Sequence, residues 1–409
     1  MNSRCYRRAI TLFAMRHAAF AALALCGLAP VLADAQIVPS GAHAPNVINA
    51  ANGVPQVNIN RPSSGGGVSM NTYSQFDVHK NGTILNNSPV ITPTQLAGQI
   101  NGNPGFGPND AAKIIVNQVN SNSPSVLKGY VEVAGAKTAA VVIANSSGLV
   151  VDGGGFINTA KGILTTGNPL VDGKGNLAGF SVTGGTITVQ GAGLNASNID
   201  EVDLLSRAVQ VNAAIYANNL NVTTGSNSID YASLTPTPIA GSSPAPGVSI
   251  DVSQLGGMYS GAIKLVGTEN GVGVANAGSI EAQAGDLTLT SAGQLVHSGK
   301  MTATGNVAIN AASLNNSGTI YSQQNTAIGS TGAATNSGVI AAEQDTSLYA
   351  GSVASTGLLG AGINADSTLA TSGNLTVRSA GQLSADGQII APGTVTLHGV
   401  SLDLSHAQT

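Results

Sequence analysis

Charge is scarce in this chain: 8% of its 409 residues are Asp, Glu, Lys or Arg, against roughly a quarter in ordinary globular domains. Tryptophan is absent and aromatic residues make up 3%. Both cysteines, Cys5 and Cys26, fall within the first 35 residues. That segment also holds four of the 15 basic and one of the 19 acidic residues, so the remainder carries a net charge near −7. A nucleic-acid partner is thereby excluded, because binding that releases counterions needs patches of Lys and Arg. Disorder is excluded too, since 42% of the residues are hydrophobic and can bury a core. What is also missing is a helical period. The best candidate, residues 93–119, is interrupted by Gly98, Gly102, Pro104 and Pro108, which leaves helix a minor component.

What is present begins with an export signal. Arg4, Arg7, Arg8 and Arg16 precede an apolar run over residues 18–29, and Ala33-Asp34-Ala35 supplies the small-x-small cleavage pattern. The run is shorter than the roughly 20 residues a spanning helix needs. Residues 1–35 are therefore expected to be a signal peptide read by the Sec translocon, with Ala33 and Ala35 as the signal peptidase site. The mature chain then has no cysteine, and no disulfide can hinder passage of an unfolded chain across a second membrane. That absence is informative in an exported protein, for which disulfides are permitted.

The mature sequence reads as short strands between Gly and Asn punctuation: residues 113–116, 129–133, 139–143, 185–189 and 220–223. Toward the C-terminus these recur with a period. Asp286, Asn306, Asn325 and Asp345 open similar segments at nearly equal steps, each of about 20 residues. Asn316-Ser-Gly returns as Asn336-Ser-Gly, and the same step resumes at Asn374 and Thr394 after a slip in phase. A unit of this size cannot bury its apolar face alone, whereas stacked copies share one core. The expectation is an all-β, single-stranded β-solenoid of at most about 18 turns, roughly 85 Å long at ~4.8 Å per turn and shorter where loops intervene. Leucine-rich repeats share the period but need a Leu-rich consensus and a helical return leg, neither of which is visible. Asn and Gly suit the corners, where Asn side chains stack in hydrogen-bonded ladders. Residues 234–247, with four prolines, form an expected excursion from the rod. The final residues 401–409 remain in repeat phase without an amphipathic cap, predicting a shortened reading frame or end-to-end pairing.

Several stretches carry a resemblance. Gln36-Ile-Val-Pro39, Gly53-Val-Pro-Gln-Val-Asn-Ile59 and Ser64-Gly-Gly-Gly-Val-Ser-Met-Asn-Thr-Tyr-Ser-Gln-Phe-Asp-Val78 are followed by segments at 85–88, 140–149, 206–216 and 228–231. In this order they resemble the N-terminal secretion domain of filamentous haemagglutinin-type exoproteins, over about residues 40 to 270. Two signatures are altered: Asn103-Pro-Gly-Phe106 stands where the family has Asn-Pro-Asn-Leu, and Asn145-Ser-Ser-Gly-Leu149 where it has Asn-Pro-Asn-Gly-Ile. The resemblance implies a right-handed parallel β-helix with an N-terminal cap and extra-helical β-hairpins. It also implies recognition in the periplasm by the POTRA domains of a dedicated outer-membrane transporter, with Asn103, Pro104, Asn145, Gly148 and Leu149 as the recognition residues. The expected organisation is a signal peptide over 1–35, a secretion domain over 36–270 and a region of repeating coils over 271–409. The product is expected outside the cell or on its surface.

Residues suited to chemistry are few. Asp200, Glu201 and Asp203, followed by Arg207, form the densest acidic group, and Asp152 and Asp172 stand one repeat step apart, a spacing that would stack them on adjacent turns. Paired carboxylates can serve acid/base work or hold a cation, but the expectation is solvated turn residues. His43, His79, His297, His398 and His406 are scattered and read as surface residues, without metal-ligand spacing. Gly153-Gly-Gly155 reads as a turn, and no phosphate-binding loop or calcium nonapeptide is present. No enzyme, metal or cofactor is expected. The leading function is a two-partner secreted adhesin that presents its surface to a host or neighbouring-cell ligand. Its rivals are the stalk of a contact-dependent growth-inhibition toxin and a secreted polysaccharide-active β-helix enzyme.

Overall fold

A computed structural model describes residues 36–409, and among them there is no helix. The signal-peptide expectation, with Ala33 and Ala35, lies outside the described residues. Each of the five strand segments read from the sequence is found, as Ile114–Val119, Tyr130–Ala134, Ala139–Asn145, Thr186–Val189 and the second half of Ala214–Thr224. They are rungs of a parallel β-helix with three faces per coil. In one coil, Ala139–Asn145 lies on face one, Leu149–Val151 on face two and Gly154–Ile157 on face three. The next coil returns to face one at Thr159–Thr165. Face one is continuous from Val68–Phe76 to Val395–His398 through parallel pairs. Those twelve steps at ~4.8 Å make a stack roughly 58 Å tall. Residues spent in loops account for the difference from the upper bound of about 18 turns.

The bottom of the stack is closed by antiparallel strands: Ile37–Pro39 pairs with Val68–Phe76, and Asn46–Asn49 with Pro55–Asn58. This is the expected N-terminal cap. Antiparallel pairing there occupies backbone groups that a bare first coil would leave open. A small hairpin, Thr92–Thr94 with Gly98–Ile100, and a four-stranded antiparallel sheet stand outside the helix.

Inside, alternate residues of each rung point inward and stack on their counterparts. Leu289, Ile309, Ile328, Leu348 and Val377 are successive register partners, all essentially inaccessible. Ile280, Met301, Ile320, Ile340 and Leu359 form a second such column on face three. Burial of each side chain is worth about 1.5–3 kcal/mol, which offsets the entropy of ordering only because the next coil buries the other side.

Polar ladders run at two corners. At the entry to face one, the side-chain oxygens of Asp286, Asn306, Asn325, Asp345 and Asn374 each accept the backbone N–H of the next coil, at 2.7, 3.2, 3.2, 2.7 and 2.9 Å. These are the positions that carry the period in the sequence. The slip between Asp345 and Asn374 is a loop over residues 361–373, and the ladder bonds straight across it. At the exit from face two a second, buried ladder joins Asn276, His297, Asn316, Asn336 and Ser355. Asn316 Nδ2 donates to Asn336 Oδ1 at 2.7 Å, and Asn336 Nδ2 donates to Ser355 Oγ at 3.0 Å. Just beyond it, Gly299, Gly318, Gly338 and Gly357 stack so closely that a Cβ on any of them would strike the carbonyl of the glycine one coil below. That close approach is why the Asn-Ser-Gly triplet recurs.

His297 is the exception among the histidines. It replaces an Asn in the buried ladder and is fully inaccessible, which corrects its reading as a surface residue. Its Nδ1 faces Asn276 Nδ2 at 3.1 Å and its Nε2 faces the Thr319 carbonyl at 3.0 Å. With Asn276 donating, the neutral ring with its proton on Nε2 satisfies both contacts. His43, His79, His398 and His406 are exposed, as expected.

The buried ladder can be tested at two of its members. Replacing Asn336 by Ala leaves one of the two Asn316 amide N–H groups without its acceptor and is expected to lower stability by about 1–3 kcal/mol in urea unfolding. Replacing the exposed neighbour Asn315 stays within about 0.5 kcal/mol. Burial lowers the His297 pKa below its ordinary 6.5, against the raising effect of its hydrogen bonds. Its neutral form therefore contributes stability that is present above pH about 6.5 and lost as the pH falls below that through the lowered folded value. Urea unfolding at about pH 7.5 and about pH 5 should show a smaller acid loss for His297→Asn than for the parent chain.

Candidate functional site

The outer surface of face one, in the first half of the stack, is covered. Two excursions, residues 166–185 and 225–247, leave the coil and supply the strands Asn168–Val171, Leu177–Val182, Asn227–Asp230 and Pro236–Pro238. Leu177, Phe180, Val182 and Ile229 of this sheet pack on Val116, Val142, Ile163 and Leu205 of face one, forming a second core outside the helix. The proline-rich segment lies at the sheet edge, where Pro236 and Pro238 need donate no ladder hydrogen bond. Arg207 anchors it. Its Nη1 donates to the Ser243 carbonyl at 2.6 Å, while Nε and Nη2 hold Glu269 at 3.2 and 2.6 Å.

Beside this second core lies an ion triad in which Asp203 is buried and Lys161 and Glu201 are half-buried. Lys161 and Glu201 are register partners on adjacent rungs, and Asp203 stands opposite Ile163. Lys161 Nζ is 2.5 Å from Glu201 Oε1 and 2.7 Å from Asp203 Oδ2. Asn221 Nδ2, on the following rung, donates to Asp203 Oδ1 at 2.9 Å. Asp203 Oδ2 has no aligned hydrogen bond, so Lys161 acts on it as a charge. Asp203 is wholly buried in a strand, which corrects its reading as a solvated turn residue. Burial pushes its carboxyl up to about 6, with Lys161 and Asn221 pulling the other way. Burial also works against ionisation of Glu201, but Lys161 outweighs it and holds that carboxyl below the usual range.

Sequence reasoning placed Arg207 beside this acidic group, whereas the structure pairs it with Glu269. It missed Lys161 and Asn221 as partners. The stretch of chain from Lys161 to Glu201 holds a single coil plus the first excursion, which hides the period. Asp152 and Asp172 do not stack. Asp152 Oδ1 accepts the Ala192 N–H at a coil corner, and Asp172 closes a tight loop in the extra-helical sheet. Of Gly153-Gly-Gly155 only the first is a turn residue, with φ at 97°. The other two are strand, and the Tyr130 ring lies over Gly155 where a Cβ would be.

The five residues of the altered signatures occupy two separate corners. Asn103 is buried, donating from Nδ2 to the Ile59 and Asn86 carbonyls at 2.8 and 3.0 Å and accepting the Gly105 N–H at 3.0 Å. Pro104 beside it is exposed. Asn145 turns the chain from face one to face two: Nδ2 donates to the Ser123 carbonyl and to Ser125 Oγ, both at 3.0 Å, and Oδ1 accepts the Ser147 N–H. Gly148 completes this turn at φ 116°, where a Cβ would also press on the Thr186 carbonyl. Leu149 enters the core. Four of the five are thus inward-facing turn and core residues in the folded chain, with Pro104 alone presented to solvent.

Comparison with known proteins supplies the rest. The TPS secretion domain profile matches residues 35–297, and the haemagglutinin repeat profile matches 302–360 and 359–408. A protein of Burkholderia pseudomallei (strain 1026b) named tRNA nuclease CdiA-2 is 55% identical over 398 residues, covering 97% of this chain and 13% of its own length. Toxin CdiA of Yersinia pestis is 46% identical, over 95% of this chain and 12% of its own. The chain thus spans about an eighth of the length of these curated relatives. Among solved structures, a crystal structure of a filamentous hemagglutinin secretion domain superposes with a TM-score of 0.57 at 28% identity. It covers 89% of this chain and 99% of that one.

The triad generates a pH prediction. A carboxyl whose pKa rises from 3.8 unfolded to about 6 folded contributes stability that is present below pH 3.8 and lost as the pH climbs through about 6. Asp203→Asn keeps the Asn221 contact and leaves Lys161 to Glu201. The variant should be the more stable at neutral pH, with the parent chain gaining on it between about pH 7 and about pH 4.5 in thermal unfolding. A difference that does not move with pH would show that burial of this carboxylate is not what shifts it.

Proposed function

The chain belongs to the family of TPS secretion domains, and from that premise we propose how it leaves the cell and what it does outside. Family membership makes it a two-partner secreted exoprotein, served by an outer-membrane transporter and destined for the medium or the cell surface. The proposed route begins at the Sec translocon with removal of residues 1–35. POTRA domains of the transporter then bind the still unfolded region 36–270, through Asn103, Pro104, Asn145, Gly148 and Leu149. The coils follow it out and fold as they emerge.

The observation that carries this reading is the uninterrupted ladder. Every rung from residue 114 onward on face one finds its backbone partner in the rung preceding it. A chain that emerges N-terminus first therefore always meets a finished template, and apolar burial against it favours outward movement without a nucleotide. The burial of Asn103, Asn145 and Leu149 supports recognition before folding, because these side chains are inaccessible afterward. In this proposal the division near residue 270 is one of function, since the stack itself runs through it.

Outside, the rod acts as the base of a longer contact-dependent growth-inhibition protein whose target is a neighbouring cell. The identity to two proteins named CdiA extends through the repeat coils and favours this role. An adhesin that holds a host ligand is the second reading, favoured by the haemagglutinin repeats and the hemagglutinin secretion-domain structure. In neither role is this part of the chain the catalyst.

Export is measured as the amount of chain in the medium and on the surface, with and without a co-expressed two-partner transporter. The expected result is transporter-dependent appearance. Pro104→Ala, which touches an exposed residue, should lower export severalfold while leaving the urea midpoint unchanged. Asn145→Ala should lower both. Export of Pro104→Ala at the parental level would remove Pro104 from the recognition site, and export without the transporter would overturn the route.

A further inference from the structure

The loop that absorbs the phase slip, residues 361–373, folds back over the outer surface of face three. It encloses a groove of about 560 Å³ with the rungs beneath it. Among the C-terminal coils this is where the step lengthens from 20 residues to 29, and the addition builds this overhang. Tyr321 fixes it, donating its hydroxyl to the Ile363 carbonyl at 3.0 Å, so the ring is held in place in the groove wall.

The groove lies on an outward column of register partners: Tyr216, Tyr259, Glu281, Thr302, Tyr321 and Ala341. Tyr216 and Tyr259 are stacked, with centroids 5.5 Å apart and planes 21° off parallel, and Tyr216 is exposed. The column thus begins on an open aromatic pair and ends under the overhang. Its steps of ~4.8 Å are comparable with the length of a pyranose unit in an extended chain. Gln283, Thr302, Gln323 and Asn364 offer neutral donors and acceptors, while Ala341 and Leu358 add apolar surface. The two charges in the lining, Glu281 and Lys300, are paired at 3.1 Å and leave it neutral. Glu343 and Asp366 lie close enough for both to raise the Tyr321 pKa after burial, and they make the surroundings acidic.

We propose that this groove and the tyrosine column leading into it bind an extended neutral oligosaccharide, with sugar faces on Tyr259 and Tyr321 and hydroxyls on the amides. Fixed rings on one side and neutral hydrogen-bonding groups on the other are what a sugar, apolar on its faces and polar at its edge, requires. The neutral lining with carboxylates nearby disfavours polyanions. The proposal rests on the reading of the rod as a surface-exposed stalk and gives that stalk a ligand of its own.

Titration calorimetry of the purified chain against neutral hexasaccharides of glucose, N-acetylglucosamine and mannose tests it, with a galacturonate hexamer and an oligolysine peptide as charged probes. Saturable binding of at least one neutral hexasaccharide is expected, weaker for its trisaccharide. Thr302→Arg, which fills the groove from an exposed-side position, should weaken it by about tenfold or more. Tyr321→Ala should do the same, and Tyr321→Phe, which keeps the ring but releases the overhang from its hydroxyl anchor, should lose less affinity than Tyr321→Ala. Absence of binding by every neutral sugar, insensitivity to Thr302→Arg, or binding only of a charged probe would overturn it. The export assay on Thr302→Arg separates the outcomes: normal export with lost binding supports the groove, whereas transporter-independent export of the parent chain would bear on the secretion route alone.

Discussion

Each coil of this molecule depends on the coil before it for its hydrogen bonds. A β-rung within a parallel stack has half of its backbone groups facing the previous rung and half the next, and no rung is complete alone. The same is true of the corners. The N–H of Asn306 ends on Asp286, that of Asn325 on Asn306, and so on to Thr394 on Asn374. The side chain that accepts from the coil above belongs to a residue whose own N–H is satisfied by the coil below. This reciprocity makes the fold directional and explains why the described residues, weakly charged and free of cysteine, can be ordered along their length.

That constraint acts on the rungs and leaves the connections free. The stack absorbs excursions of 166–185 and 225–247 in its first half and a loop of 361–373 in its second, and register resumes after each. Loop-closure entropy grows slowly with length, so such additions cost little once the flanking rungs are paired. Each excursion also recovers part of its cost. The first two cover outward apolar residues of face one, and Arg207, held by Glu269, anchors the second through Ser243. The third caps a groove through Tyr321. The additions hold what distinguishes this rod from a bare solenoid, and both regions carrying unusual side-chain chemistry lie beside them.

The same division decides how much of the molecule is legible in its sequence. The fold class and the C-terminal ladder are legible because Asn306, Asn325 and Asn374 recur in the chain as they stack in space. The Pro-rich segment is legible as an excursion because proline cannot sit in a central rung. The ion triad is not: Lys161 meets Glu201 across one rung, but the excursion between them lengthens their separation in the chain. His297 escapes because an Asn-to-His replacement in a buried ladder has no local signature. Only its position, one coil after Asn276 and one coil before Asn316, marks it as a rung of that ladder. The groove is hidden for a related reason, since the phase slip shows that residues have been added and not which face they fold over.

Scarcity of charge and of cysteine belongs to the same argument. An unfolded chain crossing a pore must shed its hydration and any covalent loop, and a sequence of Gly, Asn, Ser and Thr with few ions does both at small cost. Once outside, those residues are the ones that corner ladders use, since Asn offers a donor and an acceptor to neighbouring coils and glycine permits the close stacking at Gly299, Gly318, Gly338 and Gly357. Within the ion triad the buried Asp203 and the half-buried Lys161 and Glu201 sit on adjacent rungs and neutralise one another as soon as the second is laid down. No charge of that triad waits for a distant part of the chain. On the proposed coil-by-coil route, an ion pair between neighbouring rungs leaves the growing end compensated, which a pair between distant coils would not.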